Sequence, residues 1–542
     1  MRPGNMTFAA VSVLGAGIAL GLATAPAWSA AAESPQALAA AAYQAMGGDK
    51  LQEVTSVVIK ASMQQWDPGE SYSVADLTKP DGGTSTFVQT LDHTKDFART
   101  EWVRPRAGGG MRTFVEIVMP DAGYVIGNDA NGALTKRATK ADPPAHTMSG
   151  IRLTATLREL ERNAIVQDMH DHPDRITAAP PRTIGGRTYP SVQYRGDHGT
   201  FTVAFDPASH LPAVVGTRDF DQLMGDADFD ATFSDWRDVD GIKVPYRETY
   251  TLNGVKIFDT TVNDVRIDAV FNSVLPADSF AVPAAIRGKG AAPAPVEKTP
   301  FQWVLRRVAS GFFLDSDNLY TDDGGSLTLT DVAPNISMVT GSTHNTLIVA
   351  TNTYLVAFEA PGDDGQSKLA IDLAAKKYPG KPFRYLVLTH HHIDHSGGLR
   401  AYVAAGATVV VGKGDGDFFR KVLSAPQNLN TNKPAGAVTP KVIEVADKWS
   451  VNDGGREIDA YVLDNPHAAG YLIPYVPDAK LGFVTDLWNP GPPVTTANPN
   501  MVALVKGVQK MGITPERFAG GHGAVGNYGD LEKAVNAAGG AR

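Results

Sequence analysis

Four histidines and one aspartate crowd into ten positions at 389–398, THHHIDHSGG, and within them His390, His392, Asp394 and His395 form the pattern HxHxDH. Crowding several imidazoles without a shared cation costs repulsion or neutralisation, and a carboxylate among them is what a divalent ion wants. The chain has no cysteine, which excludes thiolate nucleophiles, disulfides and thiolate-bound zinc. Any metal must therefore be held by His, Asp or Glu. Seven of the thirteen histidines lie in the C-terminal half, so the chemistry is expected there.

The elements around the cluster must aim it. An apolar run at 385–388 reads as a buried strand that opens into a Gly-containing loop, with Ser396 as the N-cap of a helix over 398–404. Alternation along the strand end would put His390 and His392 on one side, while Asp394 and His395 in the turn reach an adjacent point. Two neighbouring metal positions follow. Strand-like runs at 327–339 and 346–358 precede a helix near 367–378. Strands at 408–411, 442–445, 458–463, 471–475 and 481–484 alternate with helices near 417–423, 501–511 and 531–537. That order fits a layered α/β sandwich.

Over roughly residues 325–542 the sequence resembles the metallo-β-lactamase superfamily. The HxHxDH motif carries the resemblance, together with His467 in LDNPHAAG, Asp486 at the end of LGFVTD and His522 in AGGHGAV. The resemblance implies a four-layer αββα sandwich and two ions, zinc first, with iron or manganese as alternatives. It assigns His390, His392 and His467 to one ion and Asp394, His395 and His522 to the other, with Asp486 bridging. His391 receives no role. Three neutral imidazoles suit zinc and leave a position open for water, which becomes a hydroxide nucleophile near neutral pH. Asp394 is the residue expected to orient it.

The sequence also departs from the family pattern. Glu359–Ala360–Pro361 stands where many members carry Asp-Thr-Gly, with Glu359 as the candidate substitute support. Asp486 and Asn489 occupy the places where the main zinc β-lactamases have Cys and a carboxylate-binding Lys, which demotes β-lactam hydrolysis. His344, Trp488 and Asn489 are the candidate substrate contacts, the last two in the WNPGPP loop after Asp486.

Length and charge bound the rest. The 542 residues, 43% hydrophobic and 20% charged, suggest a globular chain of several domains. Fifty-eight acidic against 49 basic residues disfavour nucleic acid as a partner. Arg2, an apolar run from Phe8 and small residues up to Ala30 have the order of an export leader over 1–30, implying a periplasmic or secreted protein with no membrane span once it is removed. A mainly antiparallel β domain is expected over 31–285, interrupted by a helix near 151–165. A Pro/Ala-rich linker follows at 286–300 and the catalytic domain at 301–542. The stretch around 201–282 faintly resembles periplasmic lipoprotein-carrier domains, which implies an accessory binding or docking role. His170 and His172 read as an exposed turn.

The leading expectation is an exported binuclear zinc hydrolase acting on a small-molecule ester, lactone, thioester, amide or phosphoester. An iron-dependent sulfur-oxidising enzyme of the same fold and a non-catalytic periplasmic carrier are the competing readings. Protein partners are not readable from the sequence.

Overall fold

Apolar residues at period two build the N-terminal region as sheet: Ala227, Phe229 and Ala231 turn fully inward along the strand Gly225–Val239. The computed structural model describes residues 33–78, 83–105, 110–129, 137–267, 278–311, 315–318 and 326–539. The leader expected over 1–30 lies outside them. Thirteen strands between Ser56–Gln65 and Val255–Ile267 form one antiparallel sheet. Sequence neighbours pair throughout, except that the first strand pairs with the last, leaving Ala145–Thr147 and Ile176–Ile184 at the two edges.

The helix Gly150–Asp171 joins those edges and packs across the sheet. Leu153 and Leu157 meet Phe114, Val118 and Val125, while Ile165, Val166 and Met169 meet Val192, Phe201 and Val215. It runs six residues past the expected 165, because the apolar period continues through Val166 and Met169. Ser149, not a residue of the expected span, caps it by accepting from the Arg152 amide. His170 belongs to the last helical turn, with its ring stacked 3.7 Å from that of Tyr43, rather than to a free turn.

The C-terminal region has the αββα order. A seven-stranded mixed sheet from Thr328–Ala333 to Val442–Val445 packs on a six-stranded sheet from Lys448–Asp453 to Val525–Asn527, with Phe358, Val387 and Val410 facing Ile458, Leu472 and Phe483. Helices Asp364–Lys377, Leu399–Ala404 and Gly416–Ser424 cover the first sheet; Pro499–Met511 and Tyr528–Gly539 cover the second. The strand-like runs at 327–339 and 346–358 each fold as a hairpin. Asn335, at φ 59°, supplies the left-handed residue of the first turn, a conformation Asn tolerates.

Residues Pro35–Arg542 form one compact unit. The helix Phe301–Ser310 helps to knit it: Phe301 and Val304 pack on Ile151 and Ala155, and Arg306 pairs with Asp67 and Asp221 at 3.0 and 2.8 Å. The 286–300 stretch is packed as well, with Ile286 buried and the Ala294 amide donating to the Gly150 carbonyl. Among the described residues no helix is long and apolar enough to cross a membrane.

Candidate metal centre

The strand Phe383–Val387 delivers the cluster, but the histidines themselves are not on a strand. Extended pairing ends at Leu388, and the chain then bends through His390 and His391 into the short helical turn Ile393–Ser396. Strand alternation is therefore not what brings His390 and His392 together; the bend does, with ring centroids 4.3 Å apart. Nor is Ser396 a helix cap. It closes that turn, donating to the carbonyls of His391 and His392, and Gly398 precedes the next helix. Gly397 and Gly398 are required by close approach: a Cβ would fall 2.1 Å from the Gly362 carbonyl or from Ser367 Oγ.

Three further loops converge on the same point. Asn465 accepts from the amides of His467 and Ala468 and so shapes the turn that presents His467. Asp486 follows the strand Leu481–Val484 at φ 58°, one of the few non-glycine types that accepts that conformation. Tyr471 supports it from below: its hydroxyl bonds both the amide and the carbonyl of Thr485, and its ring stacks on His390. His522 follows the strand Arg517–Gly520.

The seven expected side chains are brought together, in two groups of donor atoms. His390, His392, His467 and Asp486 make the first; Asp394, His395 and His522 make the second, and His344 joins them. Asp486 links the two. Its Oδ2 lies 3.3, 2.9 and 3.2 Å from Nε2 of His390, His395 and His467, and its Oδ1 lies 3.0 Å from Nε2 of His522.

Outer hydrogen bonds decide which ring nitrogen faces inward. His390 Nδ1 bonds Thr389 Oγ1 at 2.9 Å, His395 Nδ1 meets Glu359 Oε2 at 2.6 Å, and His522 Nδ1 donates to the Thr343 carbonyl at 2.9 Å. Each leaves its Nε2 turned inward. Burial, reinforced by the neighbouring imidazoles, holds His390 and His392 well below the usual histidine range, so both are neutral with lone pairs available. Nε2 of His390 and of His467 face each other at 3.3 Å, and Asp394 Oδ1 is buried with no hydrogen-bond partner among the described residues. Inward lone pairs and a buried carboxylate oxygen together fit divalent metal.

Glu359 takes the supporting role. Fully buried, it accepts from the Thr389 amide and hydroxyl through Oε1 and meets His395 through Oε2. Glu359→Gln is expected to weaken metal binding about 10–100-fold by removing the carboxylate partner of His395. Competition against a chromogenic chelator measures this, and an unchanged affinity would remove Glu359 from the site.

The expected substrate contacts fare unequally. His344 Nε2 lies 3.1 Å from Asp394 Oδ2, and its ring is 4.4 Å from that of His522, which places it in the donor cluster. Trp488 points into the core rather than to solvent. It is 3% exposed and packs in the helix-covered core with Phe518, because an indole next to apolar Leu487 gains more from burial than from lining a polar cleft. Asn489 is exposed beside Gly523.

Several residues of the site had no signal in the sequence. Arg307 bonds Asp394 Oδ2 at 3.3 Å and Glu70 Oε1 at 2.7 Å, and Glu70 Oε2 lies 3.5 Å from His392 Nδ1. The Ser71 carbonyl accepts from Nε2 of His391 and of His392 across 320 and 321 positions. No local motif reports a contact of that separation.

Residues 334–534 match the family model of the metallo-β-lactamase superfamily, so this C-terminal part has the metallo-β-lactamase fold. Among solved structures, the chain is similar to a metallo-β-lactamase from Pontibacter korlensis: 18% identity, 39% of this chain and 98% of that one, TM-score 0.32. The FIM-1 metallo-β-lactamase from Pseudomonas aeruginosa in its mono-zinc form gives 20%, 40%, 96% and 0.30. The inverting sec-alkylsulfatase Pisa1 from a Pseudomonas species gives 17%, 45%, 43% and 0.30. A comparison with curated proteins finds no match.

Proposed function

We propose, from the superfamily match over 334–534, that the chain is a binuclear zinc hydrolase of small-molecule esters, lactones, thioesters, amides or phosphoesters. The observation that carries this reading is the Asp486 carboxylate, which lies within 3.3 Å of four imidazole nitrogens from three different loops. His390, His392 and His467 would hold one cation, and Asp394, His395 and His522 the other, with Asp486 between them. His344 adds a further nitrogen to the second set. Bound there, the cations supply a water-derived nucleophile near neutral pH and Lewis acidity for the leaving group.

The chain's own side chains do the rest. Asp394, fixed by Arg307, would accept a hydrogen bond from the attacking water and orient it. Burial of His390, His392, Asp394 and His395 strengthens the contacts they make. Residues 31–285 are read as an accessory domain joined through 286–300 to the catalytic domain 301–542, and the leader directs the protein to the periplasm or outside the cell. N-terminal sequencing of the fractionated protein tests that address.

The deciding experiment is a panel of chromogenic esters, lactones, β-lactams and phosphodiesters, run with and without chelator on protein purified without added metal. Two equivalents of zinc and chelator-sensitive hydrolysis are expected. Iron with oxygen uptake would replace this reading with oxidative sulfur chemistry, and no metal uptake would leave a binding protein.

A further inference from the structure

Residues 66–72, which follow the first strand of the N-terminal sheet, lie directly on the two loops that carry the histidines of the first donor group. The Ile393 amide donates to the Gly69 carbonyl at 2.8 Å, and the Ala469 amide donates to the Tyr72 carbonyl at 2.7 Å. The Tyr72 hydroxyl reaches the Asn465 carbonyl at 3.4 Å. One short segment thus grips both the HxHxDH turn and the turn presenting His467. It is also held by Asp67 on Arg306 and by Glu70 on Arg307, whose guanidinium reaches Asp394 as well.

The central contact is the Ser71 carbonyl, which takes hydrogen bonds from Nε2 of His391 at 2.8 Å and of His392 at 3.0 Å. A carbonyl accepts and never donates, so each of these nitrogens carries the proton. A neutral His392 protonated at Nε2 has its lone pair on Nδ1, which is then the nitrogen it can offer to the first donor group and which lies 3.5 Å from Glu70 Oε2. The pattern is inverse to that of His390, His395 and His522, which engage outward through Nδ1. His391 also gains a role, because its Nε2 gives the Ser71 carbonyl a second hydrogen bond that helps to hold it in place.

We propose that residues 67–72 are a positioning element of the metal centre: the N-terminal region selects the His392 tautomer that can bind the first cation. This rests on the metal reading above. It makes the N-terminal sheet part of the machinery that sets cation affinity.

Gly69 offers the lever. A Cβ there would fall 2.8 Å from Ile393 Cγ2 and 2.9 Å from its Cβ, so Gly69→Val must push the segment off the turn. The full chain, labelled with ¹⁵N at histidine and free of metal, is examined by long-range ¹H–¹⁵N correlation at a pH where His392 is neutral. The unmodified chain is expected to show His391 and His392 protonated at Nε2. In Gly69→Val the His392 signal should move to a mixture of tautomers, and zinc affinity measured by chelator competition should fall about 10–100-fold. An Nδ1-protonated His392 in the unmodified chain overturns the proposal, even where Gly69→Val fails to fold. Unchanged tautomer or unchanged zinc affinity in a folded Gly69→Val also overturns it. A chain that takes up no zinc yet shows the Nε2 tautomer would sink the metal reading and leave the positioning contact standing.

Discussion

Asp486→Ala should reduce hydrolysis roughly 10³-fold, the scale set by removing a preorganised charge from a reacting centre, and the protein should retain less than its full metal complement. The reason is geometric. Burial alone would raise the Asp486 carboxyl, but His395 and then His467 and His522 outweigh it and hold the group well below the usual carboxylate range, so it stays anionic. Its two carboxylate oxygens reach imidazoles of both donor groups. Removing it deprives both positions of a shared negative charge. Because the residue sits at φ 58°, Asp486→Asn is the proper companion: it keeps a side chain that tolerates this backbone and loses only the charge. Metal content by elemental analysis and turnover should fall in both variants. Full metal content with full turnover in Asp486→Asn would show that the carboxylate bridges nothing.

Arg152→Met is expected to destabilise the fold by about 3–5 kcal/mol, the cost of stranding buried charges by removing one partner. The Arg152 guanidinium lies in the helix Gly150–Asp171 and is fully buried. It pairs with Glu116 at 2.7 Å, with Asp315 at 2.8 Å and with Asp129. These carboxylates come from a strand of the large sheet and from both sides of the helix in sequence, so the network ties remote segments together. His146 adds contacts to Asp129 and Asp315. Burial would raise the Asp129 carboxyl, yet Arg152 and His146 more than compensate and hold it below its ordinary range. A carboxyl lowered in the folded state contributes stability above its unfolded pKa of about 3.9 and loses it as pH falls through the folded value. The difference between wild type and Arg152→Met should therefore be full at pH 7 and shrink in strong acid. Denaturant midpoints at several pH values measure it, and a shift worth less than about 1 kcal/mol at pH 7 would mean the network is not structural.

Much of the C-terminal architecture could be read from residue order, because its signals are local. Apolar runs such as 385–388 mark strands buried on both faces, and the HxHxDH spacing marks a donor cluster whatever its surroundings. Local signals also misled. Ser396 has the right type and place for a helix cap, but the turn that begins at His392 claims it first. Trp488 has the look of a pocket wall, but core packing with Phe518 took the indole. The Glu359 role was suggested by its position, and its bond to His395 depends on a buried carboxylate 36 positions upstream being folded against it.

Residue identity and spacing settle the inventory: imidazoles and carboxylates but no thiolate, gathered after a strand, with three more donors at later strand ends. Orientation is another matter. Which nitrogen of each imidazole points inward depends on partners such as Ser71, Thr343 and Glu359, brought up by sheet packing over separations of up to 321 positions. A hydrogen bond of that kind stabilises one tautomer over another but leaves no periodicity or composition behind, so it becomes visible when the chain has folded.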